Sequence, residues 1–239
     1  MIRDYVLLIT GCINPDNETP FLKIRDSSTR RKQYIESIRF YIEESHAKKI
    51  VFCDNSNQKA DNNLEQIVKK NNKEFEWLSF CGNIEKAVEK GKGYGEGEII
   101  DYALNHSRLL EESDYFVKVT GRILVKNINI LLAAMNKRRT YFQCNSDNNV
   151  DTRLYGMPKH SYRDYFRDVY KTVDDTNGYY LEHAFAKVIH DYSVNIQHFV
   201  VCPNISGISG STGEHYDLSL KQRVKITLKN YKDSILPKK

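Results

Sequence analysis

The sequence runs to 239 residues and 27.9 kDa, so at ~150 residues per domain it holds one or two domains. With 40% hydrophobic and 28% charged residues it is not a disordered chain, and no apolar run reaches the ~18 residues of a membrane-spanning helix. The net charge of +5 is too mild to argue for nucleic acid by itself and favours an anionic substrate or surface.

In chain order, residues 5–10 form a continuous apolar run closed by Gly11, the pattern of a buried strand, with no long apolar leader before it. A helix is predicted over 28–45. Tyr34, Ile38, Tyr41 and Ile42 share one of its faces, and Asp26, Ser27 and Ser28 can cap it. Residues 49–53 give a second buried strand, which ends in the turn Asp54, Asn55, Ser56. A short helix over 63–71 and a third strand over 75–80 follow. The glycine-rich stretch 91–97 is predicted as a loop leading into a helix over 98–110. A fourth strand over 114–120 ends in Gly121 and Arg122. A helix over 129–137, a fifth strand over 140–144 and a sixth over 154–157 come next. A helix over 179–190 and a late strand over 196–202 complete the alternation.

This order predicts one α/β domain over residues 1–220, a sheet with covering helices, since no repeat or linker interrupts it. Residues 221–239 differ. Lys221, Arg223, Lys225, Lys229, Lys232, Lys238 and Lys239 face a single acid, Asp233, while Val224, Leu228, Tyr231 and Ile235 recur at helical spacing. The tail reads as a basic amphipathic helix of the same domain, either resting on an anionic membrane face or packed with its basic side in solvent. The cysteines Cys12, Cys53, Cys81, Cys144 and Cys202 are odd in number and form no CxxC pair, so they read as reduced thiols of a cytoplasmic protein.

In an open α/β sheet, ligands sit outside the carboxyl ends of the strands. Four polar clusters lie at such ends. They are Thr10 and Gly11 with Arg30 and Arg31 beyond; Asp54, Asn55 and Ser56; Lys118, Thr120 and Arg122; and the late glycine-rich loop 206–213 with Ser211 and Thr212. They supply the cations, hydroxyls and flexible amides that hold a diphosphate. Lys118 and Thr120 point the same way from an apolar strand, so both need polar partners. Gly91 to Gly97 is neither a P-loop nor a GxGxxG turn. His215 could bind phosphate or a metal, and Glu182, in the first turn of a helix beside His183, could take a proton from an acceptor hydroxyl. Asp174 and Asp175 compete for that role. No Asp-x-Asp pair occurs, so positive side chains are expected in place of a divalent cation, and no metal site is expected.

Residues 9–11, Arg30 with Gln33 and Tyr34, Asp54 to Ser56, Gly91 to Glu96 and Lys118 to Arg122 occur in this order. The succession resembles a family of bacterial glycosyltransferases that build lipopolysaccharide O-antigens and capsules, a family that includes the galactosyltransferase domain of O-antigen galactan synthesis. The resemblance implies a Rossmann-like glycosyltransferase-A fold, a single mixed, mostly parallel sheet flanked by helices. It implies that Lys118, Thr120 and Arg122 stand where Asp-x-Asp usually does, and that Gly93, Tyr94 and Glu96 belong to the substrate site.

The expected function is transfer of a hexose, galactose first, from a UDP-sugar to a growing lipid-linked glycan. The expected partners are that donor and that acceptor, with peripheral contact at the inner membrane and no nucleic acid. Two rivals remain at this stage. A sugar-1-phosphate nucleotidyltransferase would want a glycine-rich basic loop after the first strand, which residues 11–15 supply poorly. A nucleic-acid binder would use the 16 tyrosines and the basic tail.

Overall fold

A computed structural model describes residues 4–144, 149–210, 213–216 and 218–235. The elements come in the order β1 (Val6–Gly11), α1 (Ser27–Glu44), β2 (Lys49–Asp54), α2 (Leu64–Lys70), β3 (Glu74–Ser79), α3 (Ile84–Lys90), α4 (Lys92–His106) and α5 (Arg108–Glu111). Then follow β4 (Tyr115–Thr120), β5 (Ile123–Val125), α6 (Ile128–Ala134), β6 (Thr140–Cys144), β7 (Val150–Pro158), α7 (Lys159–Ser161), α8 (Leu181–Asp191), β8 (Ile196–Gln197), β9 (Ile205–Gly207) and α9 (Leu220–Ile235). Seven strands form one mixed sheet in the order β3-β2-β1-β4-β7-β6-β8, and β5 pairs with β9 in a small second sheet. The first four strands of the large sheet run parallel, while β7 runs antiparallel to both β4 and β6.

Strand alternation sorts the core into two layers. Leu7, Ile9, Ile50 and Phe52 face α1 and α6, while Val6, Leu8, Val51 and Phe116 face α4 and α8. Each of these side chains is fully buried, and burial of one such group contributes about 1.5–3 kcal/mol. The same parity sends Thr10, Lys118 and Thr120 toward α4 and α8, and sends Asp54 toward α1.

The glycine stretch is the main departure from the predicted elements. It is no loop: α4 begins at Lys92, so Gly93, Gly95 and Gly97 lie within its first two turns. Glycine costs about 1 kcal/mol in a helix interior, and packing overrides that preference here. A Cβ at Gly97 would fall 2.0 Å from Tyr170 Cβ, and one at Gly93 would fall 2.9 Å from Val173. The helix is glycine-rich because the chain around residues 170–175 lies directly on it. Gly97→Ala is therefore expected to cost about 3 kcal/mol through overpacking. The measurement is a lower urea midpoint at unchanged slope, and a wild-type midpoint would contradict so close an approach.

Other departures are smaller. The helix predicted over 98–110 breaks at Ser107, whose side chain caps α5. The late strand shrinks to Ile196–Gln197, and the sixth strand extends to Val150–Pro158. None of the five cysteines is in a disulfide: Cys53 and Cys202 are buried, and Cys81 is exposed.

Candidate functional site

The carboxyl ends of β1, β2 and β4 open onto a cavity of about 520 Å³, closed on its far side by α4, β7 and the start of α8. This is the size of an ordinary small-molecule site. Its lining includes Thr10, Gly11, Asn55, Ser56, Thr120 and Arg122 from the strand ends. Gly95 and Glu96 of α4, and Glu182 of α8, complete that side.

Three residues expected to touch ligand serve instead to build the walls. Asp54 is fully buried, and its carboxylate accepts from the backbone N–H of Ile13 (2.8 Å), Ser56 (3.0 Å) and Gln58 (3.1 Å) and from the hydroxyls of Ser56 and Ser79. Five donors leave it no capacity for a ribose, and it ties the loop after β1 to the loop after β2. Arg30 borders the cavity, but its guanidinium donates to the carbonyls of Cys12 (2.9 Å) and Ile24 (3.0 Å). Lys118 is fully buried and absent from the lining. Its ammonium donates to Glu96, to Thr120 Oγ1 (2.7 Å) and to the Thr152 carbonyl (2.7 Å). An ammonium has three donors. All are spent, so Lys118 is not the cation that meets a diphosphate.

What Lys118 does is fix a carboxylate. Glu96 Oε1 accepts from Lys118, from Thr120 Oγ1 (3.0 Å) and from Thr10 Oγ1 (3.4 Å) at the cavity wall. Beyond it, Thr152 Oγ1 donates to Glu182 Oε1 (2.6 Å), so Glu182 is held in the first turn of α8 facing the same space. Charge-assisted bonds of this kind fix side chains more firmly than neutral ones. The amino end of α4 is held by another acid. Asp175 Oδ2 accepts from Gly93 N (3.0 Å), and burial pushes the Asp175 carboxyl above its ordinary value. Asp175 thus anchors a helix.

Among the described residues, two buried atoms of lining side chains have no hydrogen-bond partner, Asn55 Oδ1 and Arg122 Nε. Such atoms are costly unless something else satisfies them. Arg122 also sits at φ +65°, a left-handed conformation that costs an arginine about 1–2 kcal/mol. Gly121 makes the approach possible, since a Cβ there would lie 2.5 Å from the Thr10 carbonyl. Gln33 accepts from Arg122 Nη1 (3.1 Å), and the guanidinium lies over the Tyr34 ring.

The remaining expectations divide. Arg31 donates to the Lys59 carbonyl and stacks over Trp77, away from the cavity. Gly93 and Tyr94 lie on other faces of α4, with Tyr94 against Tyr170. His215 is exposed, paired to Ile208 in an isolated bridge, and does not line the cavity. Ser211 and Thr212 lie outside the described residues. Asp151, Arg153 and Tyr216 line the cavity although sequence reasoning missed them. Arg153 Nε donates to Asp151 Oδ1 (2.9 Å), and its guanidinium lies 4.7 Å from the Tyr216 ring centre. The signal for Asp151 and Arg153 was a charged pair two residues apart at the start of a strand. Among the described residues, no three His, Cys, Asp or Glu side chains converge as metal ligands would.

No protein-family model matches the sequence, and no curated protein matches it. Solved structures do. The glycosyltransferase GlyE of Streptococcus pneumoniae TIGR4 aligns at 7% identity with a TM-score of 0.51, over 78% of this chain and 44% of GlyE. A glycosyltransferase involved in glycosylating the major capsid of PBCV-1 aligns at 9% identity and TM-score 0.43, over 81% of this chain and 80% of its own. A nucleoside-diphosphate-sugar pyrophosphorylase of Vibrio cholerae RC9 aligns at 12% identity and TM-score 0.44, over 81% and 90%. Of these three, the likeness to GlyE alone is close enough to bear on architecture, and this chain spans less than half of that protein. The mixed, mostly parallel sheet flanked by helices is the fold of GlyE's matching region.

Proposed function

We propose that this protein is a glycosyltransferase that moves a hexose, galactose by preference, from a UDP-sugar to a lipid-linked glycan of the cell surface. One observation carries the reading: two side chains of the cavity wall, Asn55 and Arg122, each keep a buried polar atom that has no partner among the described residues, one an acceptor and one a cationic donor. A nucleoside diphosphate brings their complements. Asn55 Oδ1 accepts an N–H of the base, and Arg122 Nε donates to a phosphate oxygen.

Arg122 then stabilises the departing diphosphate, whose negative charge grows as the sugar leaves. Thr10 and Gly11 supply the floor beside the nucleoside. Glu182 faces the sugar and takes the acceptor proton if the anomeric centre inverts; if configuration is retained, it steadies the sugar. Glu96, clamped by Lys118 and Thr120, is positioned to accept hydrogen bonds from sugar hydroxyls. No step of this reading runs through a metal ion.

The test is a thermal-shift screen of nucleotide sugars with and without EDTA. The expected result is a rise in melting temperature with a UDP-hexose that EDTA leaves unchanged, reaching about 2.7 kcal/mol of stabilisation at a hundredfold excess over Kd. Glu182→Gln is expected to keep that shift while UDP release falls about 100-fold or more. A screen in which no nucleotide sugar shifts the melting temperature overturns the reading, and a shift abolished by EDTA overturns its metal-free form.

A further inference from the structure

The last helix carries a surface that the fold leaves uncovered. α9 is docked through Asn230, which donates to Gln143 Oε1 (2.8 Å) and to the Phe199 carbonyl (2.9 Å), and through Thr227 Oγ1, which accepts from Cys202 N (2.9 Å). Asn230 is 2% exposed. A helix turns about 100° per residue. On that geometry Leu220, Val224, Leu228 and Tyr231 form one stripe beside the docked side, and it faces solvent: they are 69%, 50%, 64% and 64% exposed. The next strip around the helix holds Lys221, Lys225, Lys229 and Lys232, all exposed. Three faces follow in turn: one polar and docked, one apolar and exposed, one made of lysines. From Leu220 to Lys232 the helix has no acidic residue.

From this we propose that α9 lies in the surface of an anionic lipid bilayer, its apolar stripe among the acyl chains and its lysine row against the headgroups. The charge decides between occupants. A second copy of the helix laid antiparallel on the stripe would bring two lysine rows together, whereas anionic phospholipids neutralise them. The helix lies on the bilayer, since none among the described residues is long and apolar enough to cross one. The dock is next to the cavity. Gln143 is the register partner of Asp151, which lines it. On this proposal α9 ties the bilayer to the strand beside Asp151, one wall of the cavity.

The experiment is flotation of the full chain with vesicles of phosphatidylcholine alone or mixed with phosphatidylglycerol, at low and high salt, and needs no activity. Binding is expected to the mixed vesicles, to weaken with salt, and to be at least tenfold lower with phosphatidylcholine alone. Val224→Glu with Leu228→Glu is expected to abolish it, and Lys221→Glu with Lys225→Glu to lower it by at least about 25-fold, at roughly fivefold per lysine lost. Lys69→Glu with Lys70→Glu, on exposed positions of α2, controls for overall charge and is expected to keep most of the binding. Unchanged circular dichroism of each variant keeps the result interpretable, since the docked face is untouched. No binding to mixed vesicles, or binding that the Val224 and Leu228 changes leave intact, overturns the proposal. So does a dimer in light scattering that those two changes dissolve, which would assign the stripe to a second copy.

Discussion

Arg122→Ala is expected to lower kcat/KM for the nucleotide-sugar donor by about 100- to 1,000-fold, the usual loss when one preorganised donor to a charged transition state is removed. The protein should stay folded. Among the described residues the side chain makes one hydrogen bond, to Gln33, and its Nε has no partner. Its backbone is held at φ +65°, so the native position is already unfavourable for a residue with a Cβ. Arg122→Gly sharpens the test. It should remove activity as fully as alanine does, yet unfold at least as late, because glycine relieves the backbone. Arg122→Lys should recover little, since an ammonium does not reproduce the Nε donor of a planar guanidinium. Near-wild-type turnover in either the alanine or the glycine variant would remove Arg122 from the diphosphate.

The frame of the molecule was legible in the sequence because the parallel strands are buried on both sides. Such strands appear as unbroken apolar runs, and β1, β2 and β4 fall within a residue or so of the predicted positions. The amino end of α4 was not legible. Its glycines lower local helix preference, and the reason for them, Tyr170 and Val173 lying on the helix, is a contact across more than 70 residues. At the site, alternation placed Lys118 and Thr120 on one face but could not give their depth. Lys118 sits two residues before the strand end, and that is enough to put its ammonium behind Glu96. Asp54 was misjudged for a similar reason: a turn-forming aspartate looks alike whether its carboxylate points at ligand or at its own loop. Asp151 and Arg153 were missed because the predicted strand began only at residue 154, after both of them.

Breaking the Glu96–Lys118 pair is expected to cost stability before it costs chemistry, and to do so unequally. The pair is lopsided: the Lys118 side chain is 0% exposed, whereas that of Glu96 is 23% exposed at the cavity wall. Glu96→Ala strands an ammonium inside the protein, and the expected loss is about 3–5 kcal/mol. Lys118→Met removes the buried charge itself. The remaining carboxylate keeps Thr120 and Thr10 as donors and can take water from the cavity, so the loss is expected nearer about 2 kcal/mol. Lys118→Met in the Glu96→Ala background should then restore stability, because no unpaired charge remains buried. The double variant is expected to unfold later in urea than Glu96→Ala alone, with a coupling of about 2 kcal/mol or more. Donor binding separates structure from chemistry: Lys118→Met should still give a thermal shift with a UDP-hexose, since its ammonium meets no ligand, whereas Arg122→Ala should not. Lys118→Met with wild-type stability and no donor binding would reverse these assignments and return the phosphate to Lys118.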